Sequence, residues 1–184
     1  MTSITIWSPR RFRLECFEEQ IRQNHIFRRQ RVGPIEINYH QELSGPLLHQ
    51  ICQNIRGHLN ELTIHVILFD DHDLENGLNV EETITFFKNL INLSHVFPKV
   101  SFVISDFVDH IIEDAKHSTR EIRHLKSELE QIVFQGNRTN VYADHFGDID
   151  GELCDDNSRI TEAGMSAVAG LIIEDLSNLP IKQF

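Results

Sequence analysis

Seven arginines stand in the first 31 residues: Arg10, Arg11, Arg13, Arg22, Arg28, Arg29 and Arg31. Only Glu15, Glu18 and Glu19 oppose them, so this segment carries +4 in a chain of net charge −11, and the remainder carries −15. A guanidinium group stays charged at any physiological pH and grips phosphate with two parallel hydrogen bonds. A net −11 excludes a protein that coats nucleic acid or an anionic membrane with its whole surface. It still allows one basic face. The plainer reading of the same cluster is a solvated, arginine-rich helix.

Other residues offer different chemistry. Asp70-Asp71-His72-Asp73 gathers three carboxylates around an imidazole. That set could hold a divalent ion weakly, but a solvated acidic loop at a helix N-terminus is the simpler expectation. Asp148-Ile149-Asp150-Gly151 suggests a calcium loop. In that register the first position is Phe146 and the twelfth Asn157, where carboxylates are required, so no metal and no cofactor is expected. Nucleophilic catalysis needs a serine with a base in reach. Ser8 follows the first apolar run, and His72 or His145 could serve as base. Eleven histidines make accidental pairs common.

The elements that must position these groups follow from periodicity. Ile4–Trp7 is β-branched and aromatic and reads as a strand, halted by Ser8-Pro9. Leu14, Phe17 and Ile21 repeat at helical spacing. Ile35–Tyr39 alternates as a strand. Ser44 is the expected N-cap of a helix with Leu47, Leu48, Ile51, Ile55 and Leu59 on its apolar face. Ile64–Phe69 is almost continuously apolar, as a strand buried on both faces must be. After the acidic loop Asp70–Glu75, Asn79 and Glu82 form a capping box for a helix lined by Val80, Ile84, Phe87 and Ile91. Val100–Ile104 is the next buried strand. Residues Asp106–His117 make a long connection with room for a short helix. Ser118-Thr119-Arg120-Glu121 is a second capping box, opening a helix through Ile122, Leu125, Leu129 and Ile132 that ends at Gly136-Asn137. Asn140–Ala143 is a short fifth strand. Thr161 caps a last helix with Met165, Val168, Ala169, Ile172 and Leu176 inward.

Five alternations of strand and helix predict a three-layer α/β/α domain with a five-stranded parallel sheet, of flavodoxin-like architecture. Ligands in such folds bind beyond the carboxyl ends of the strands. The loops there carry the unusual polar residues: Ser8–Arg13, Tyr39–Ser44, Asp70–Asn76, Ser105–Asp109 and Asp144–Arg159. A chain of 184 residues can bury about 70% of its unfolded surface as one domain. Residues 1–184 are expected to form that single domain, as a fragment of a longer protein. No run of about 18 apolar residues is present to span a membrane. Met1–Trp7 lacks the basic and apolar regions of a signal peptide. Cys16, Cys52 and Cys154 are odd in number and read as reduced thiols, which places the chain in the cytoplasm or nucleus.

The order of elements and the stretch Asp156-Asn157-Ser158-Arg159-Ile160-Thr161-Glu162-Ala163-Gly164 resemble the SGNH (GDSL-type) hydrolases. In that family the last loop carries Asp-x-x-His before a Leu-Thr-Glu-x-Gly-like helix start, and here Arg159 stands at the histidine. The family's Gly-Asp-Ser ends the first strand; here Ser8-Pro9-Arg10 occupies the place and Arg10 falls on the nucleophile. The third block, Gly-x-Asn-Asp, corresponds to Asp70-Asp71-His72-Asp73 and keeps only Asp73. Gly33 corresponds to the glycine of the second block. Arginine is neither nucleophile nor base, and Asp70 at the oxyanion position would repel developing charge. The resemblance therefore implies a hydrolase fold without its chemistry, with Arg10, Asp70, His72, Asp73, Asp156 and Arg159 as a vestigial active site.

Within that comparison the chain is most similar to the OSK domains of the Oskar-type insect germ-plasm proteins, which share the fold without the triad. The resemblance implies a non-enzymatic, RNA-binding domain with a role in germ-plasm organisation. Its contacts would be made by Arg10, Arg11, Arg13, Arg28, Arg29, Arg31 and Arg159. Its partners would be mRNA 3′ untranslated regions and germ-granule proteins, with no membrane. Two alternatives stand beside it: a protein-interaction scaffold without nucleic acid, and an esterase with a displaced Ser/His site.

Overall fold

Apolar residues at alternate positions of the central strands face two separate helical layers. The computed structural model describes residues 2–9, 15–23, 35–42, 46–69, 72–106, 119–135, 140–143, 145 and 160–179. Five strands form one sheet: β1 (Thr2–Pro9), β2 (Ile35–Glu42), β3 (Thr63–Phe69), β4 (Val100–Asp106) and β5 (Val141–Ala143). All neighbours are parallel, in the order β2-β1-β3-β4-β5. This is the flavodoxin-like order, whose direction reverses between β1 and β3. Among the described residues the helices are α1 (Glu15–Gln23), α2 (Leu47–Ile55), the single turn α3 (His72–Glu75), α4 (Val80–Val96), α5 (Thr119–Gln135) and α6 (Glu162–Asn178).

One layer packs α2, α4 and α5 against Trp7, Ile67, Phe69, Phe102 and Ile104. The other packs α1 and α6 against Ile4, Ile6, Ile64, Val66, Leu68 and Val103. Successive side chains of a strand point to opposite faces, so each of β1, β3 and β4 feeds both layers. Phe69 and Phe87 meet edge to face across the first layer, ring centroids 5.1 Å apart.

Local signals set the helix starts that they encode. Asn79 and Glu82 close the capping box at α4, with both reciprocal bonds at 2.9 Å. Thr161 Oγ1 accepts the Gly164 N–H at 3.1 Å and caps α6. Gly77, at φ +105°, makes the turn between α3 and that box, a backbone conformation that disfavours any side chain.

Several expectations are corrected. Strand β1 runs two residues past Trp7, through Ser8↔Gln41 and Pro9↔Glu42, and ends at Pro9; proline is tolerated there because pairing with β3 has already stopped at Trp7, which leaves that side of the strand an edge. The acidic stretch after β3 is not all loop, since His72–Glu75 forms α3. Helix α2 stops at Ile55, before Leu59, which packs on the core from the turn that follows. Ser44 and the capping box at Ser118 lie outside the described residues, apart from Thr119–Glu121, which open α5.

Candidate active site

The switch point between β1 and β3 is where ligands enter folds of this kind. At the carboxyl end of β1, Ser8 is fully buried. Its Oγ accepts a long hydrogen bond from Gln41 Nε2, 3.5 Å away on β2. Beyond β3, Asp73 is 2% exposed, and its position is explained by helix α2. One carboxylate oxygen accepts the Leu47 N–H at 2.5 Å and the other accepts the Leu48 N–H at 2.9 Å. The first amides of a helix have no partner within it, and the helix dipole favours an anion at that end. The N-cap residue itself, Pro46, supplies no side-chain bond. Asp73 therefore caps α2 from 26 residues away, the role that sequence reasoning gave to Ser44.

Of the residues expected to carry the site, Arg10, Arg11, Arg13, Arg28, Arg29, Arg31, Asp70, Asp156 and Arg159 lie outside the described residues. His72 opens α3, and its side chain lies outside the described set. Asp73 is the one member of that group whose contacts are described, and they include the two backbone amides of α2.

A second constellation forms at the carboxyl ends of β4 and β5. His145, two residues beyond β5, is buried. Its Nε2 lies 2.6 Å from Asp175 Oδ2 on α6, and its Nδ1 lies 2.8 Å from Ser105 Oγ near the end of β4. In the neutral ring the carboxylate, which can only accept, holds the proton on Nε2. Nδ1 is then the acceptor, and Ser105 donates its hydroxyl proton to it. Serine, imidazole and carboxylate are thus joined in the order that activates a serine nucleophile, with the ring nitrogens in exchanged roles. Ser105 has no exposed surface, His145 is 3% exposed, and the Asp175 side chain is 31% exposed. Alternation along β4 sends Val103 and Ser105 toward the α1/α6 layer and Asp106 to the other face. There Asp106 accepts from the Tyr142 hydroxyl at 2.6 Å, with Lys126 Nζ at 3.6 Å.

Sequence reasoning named His145 as a possible base but missed Ser105 and Asp175. Two signals were present. Ser105-Asp106 ends an otherwise apolar strand, and Asp175 lies between Ile172 and Leu176 on a helix whose other inward positions are apolar.

A third buried polar group is His65, in the middle of β3. The Trp7 indole N–H donates to its Nδ1 at 3.1 Å. Phe102 stacks on its ring with centroids 5.5 Å apart. Its Nε2 is buried without a hydrogen-bond partner. Burial, with smaller effects from His58 and His40, pushes its pKa down to about 3, so it is neutral in the folded chain.

Three solved structures that share this architecture are hydrolases. A lipase/acylhydrolase from Enterococcus faecalis superposes with a TM-score of 0.64 at 12% identity, covering 100% of both chains. An acetyl esterase mutant with acetate ion gives 0.59 at 15% identity, over 95% of this chain and 99% of the other. The Clostridium thermocellum family 3 carbohydrate esterase gives 0.55 at 16% identity, over 94% of each. No family model matches the chain, and no curated protein is significantly similar to it. The chain has the SGNH-hydrolase fold, a three-layer α/β/α domain on a five-stranded parallel sheet. The expectation of a chain without enzymatic activity is corrected here: the three structures just named, which share its fold, are hydrolases. Among the described residues no helix is long and apolar enough to cross a membrane.

Proposed function

We propose that the chain is an ester hydrolase acting on acyl esters through Ser105, His145 and Asp175. The observation that carries this reading is the continuous hydrogen-bond path from Ser105 Oγ through the His145 ring to the Asp175 carboxylate. The hydrolase architecture supports it. Ser105 Oγ attacks the ester carbonyl as its proton passes to His145 Nδ1. His145 returns that proton to the departing alkoxide, leaving an acyl-serine. A water molecule then gives a proton to His145 and attacks the acyl carbon, and proton return to Ser105 releases the carboxylic acid. Asp175 fixes the ring and stabilises the imidazolium. Because Ser105 is buried, an ester reaches it only when the carboxyl edge of β4 is uncovered.

The test is turnover of a short-chain aryl ester, with labelling by a serine-reactive phosphonate mapped by mass spectrometry. Turnover lost in Ser105→Ala but kept in Ser8→Ala, with the label on Ser105, supports the proposal. Label on Ser8 moves the site to the end of β1. No turnover and no label sinks the esterase reading.

A second reading rests on the +4 of residues 1–31. This segment is proposed to bind RNA through phosphate contacts at Arg10, Arg11, Arg13, Arg28, Arg29 and Arg31, with Arg159. An Oskar-type role with mRNA 3′ untranslated regions and germ-granule proteins would follow. Phosphate contacts release counterions, so affinity should fall steeply with salt. Filter binding tests it: no affinity at low salt, or unchanged affinity in the Arg10→Glu/Arg159→Glu double variant, removes it. A cytoplasmic site of action is proposed with it. The thiols of Cys16 and Cys52, which are in no disulfide, suit a reducing compartment, and burial pushes Cys16 up to about 11.

A further inference from the structure

Among the described residues, strand β2 is an edge of the sheet. Its eight residues pair with β1 in unbroken register from Ile35 to Glu42, without a bulge. Ile35–Glu42 also contains no lysine and no proline. Bulges, prolines and charged side chains, lysine above all, are the usual devices that stop a sheet edge from pairing with another chain, and of these β2 carries only Glu36 and Glu42. The opposite edge, β5, has only three residues, too few to offer a comparable ladder.

We infer that the outer edge of β2 pairs antiparallel with the same edge of a second copy, about a two-fold axis at Asn38. The side chains select both the partner and the register. Two identical strands related by such an axis place a residue opposite itself, and the residues flanking it opposite each other. With Asn38 on the axis, Glu36 of each copy lies opposite His40 of the other, and Ile37 lies opposite Tyr39. The first pair joins an acid to an imidazole, and the second joins a β-branched residue to an aromatic one, both favourable cross-strand pairs. A shift of the axis to Tyr39 would set Glu36 against Glu42, and a shift to Ile37 would set it against Asn38.

The groups are placed for this pairing. Glu36, Tyr39 and His40 are exposed. The His40 ring is already held against Trp7, with centroids 4.4 Å apart and planes 19° apart. Little side-chain freedom remains to be lost there on association. Within one copy Glu36 and His40 are four residues apart on an extended strand, about 13 Å, so they cannot pair in cis. Their complementarity is satisfied only between copies. The two sheets would then continue as one of ten strands.

The experiment is the solution mass of the full chain by light scattering over a dilution series. The wild-type chain should show a concentration-dependent dimer. Glu36→Lys removes the pair and His40→Glu sets like charges opposite each other, so each should raise the dissociation constant at least about tenfold. The double variant Glu36→Lys/His40→Glu places opposite charges across the axis again and should recover most of the affinity. That recovery would also show that the single variants fail through pairing and not through folding. A wild-type monomer at every concentration overturns the inference. So do single variants that dimerise like wild type, or a double variant weaker than both singles.

Discussion

The ring of His145 and the carboxylate of Asp175, 2.6 Å apart, tie the residue that follows β5 to the last turns of α6. A short contact between a buried imidazole and a partly buried acid fixes which nitrogen carries the proton. It thereby decides that the nitrogen facing Ser105 is the one able to accept a proton. Replacing Asp175 with alanine is expected to lower kcat for a short-chain aryl ester by about a thousandfold with little change in KM. Steady-state kinetics beside an unfolding curve of the same variant would check this. A loss that tracks the unfolded fraction would mean that the contact holds only the fold.

Asp73 serves α2 as a cap brought from another part of the chain. In Asp73→Ala the buried amides of Leu47 and Leu48 lose their acceptor, and a cost of about 2–3 kcal/mol is expected. Asp73→Asn keeps one acceptor oxygen and should lose roughly half as much. Urea unfolding midpoints at neutral pH measure both. A wild-type midpoint in the alanine variant would remove Asp73 from this role.

His65 makes stability depend on pH in a defined direction. Its pKa is lowered in the folded state to about 3, so the unfolded chain binds a proton that the native chain refuses. Its contribution is fully present above about pH 6.5, the value for an unperturbed histidine, and is lost as pH falls toward 3. At pH 5 the loss from this group is about 2 kcal/mol. A glutamine at position 65 can still accept from Trp7 and does not titrate. His65→Gln should therefore shrink the stability difference between pH 7 and pH 5 by about that amount. An unchanged difference would rule His65 out as its source.

Asn140, at the entry to β5, accepts the Phe102 N–H at 2.9 Å and donates to Ser94 Oγ at 2.6 Å. One side chain thus joins β4, α4 and the approach to β5. Asn140→Ala leaves a buried strand amide unpaired and should cost about 1–3 kcal/mol. Amide hydrogen exchange at Phe102 should quicken in the variant. Exchange as slow as in wild type would show that another group replaces the lost acceptor.

The sequence by itself determined what depends on neighbours along the chain. The apolar runs Ile64–Phe69 and Val100–Ile104 identified buried strands, and the spacing of Val80, Ile84, Phe87 and Ile91 identified α4. The capping residues Asn79 and Thr161 act within three or four residues of themselves, so they were legible without a fold. Five strand–helix alternations also fixed the architecture, because parallel strands need helical crossovers. Only the tertiary structure decided which distant polar groups meet. Ser105, His145 and Asp175 are separated by 40 and 30 residues and converge because β4, β5 and α6 pack side by side. Asp73 finds the amides of α2 for the same reason. Hydrogen bonds of this kind leave no periodicity, since each joins single residues whose spacing is set by sheet order and not by the repeat of any element.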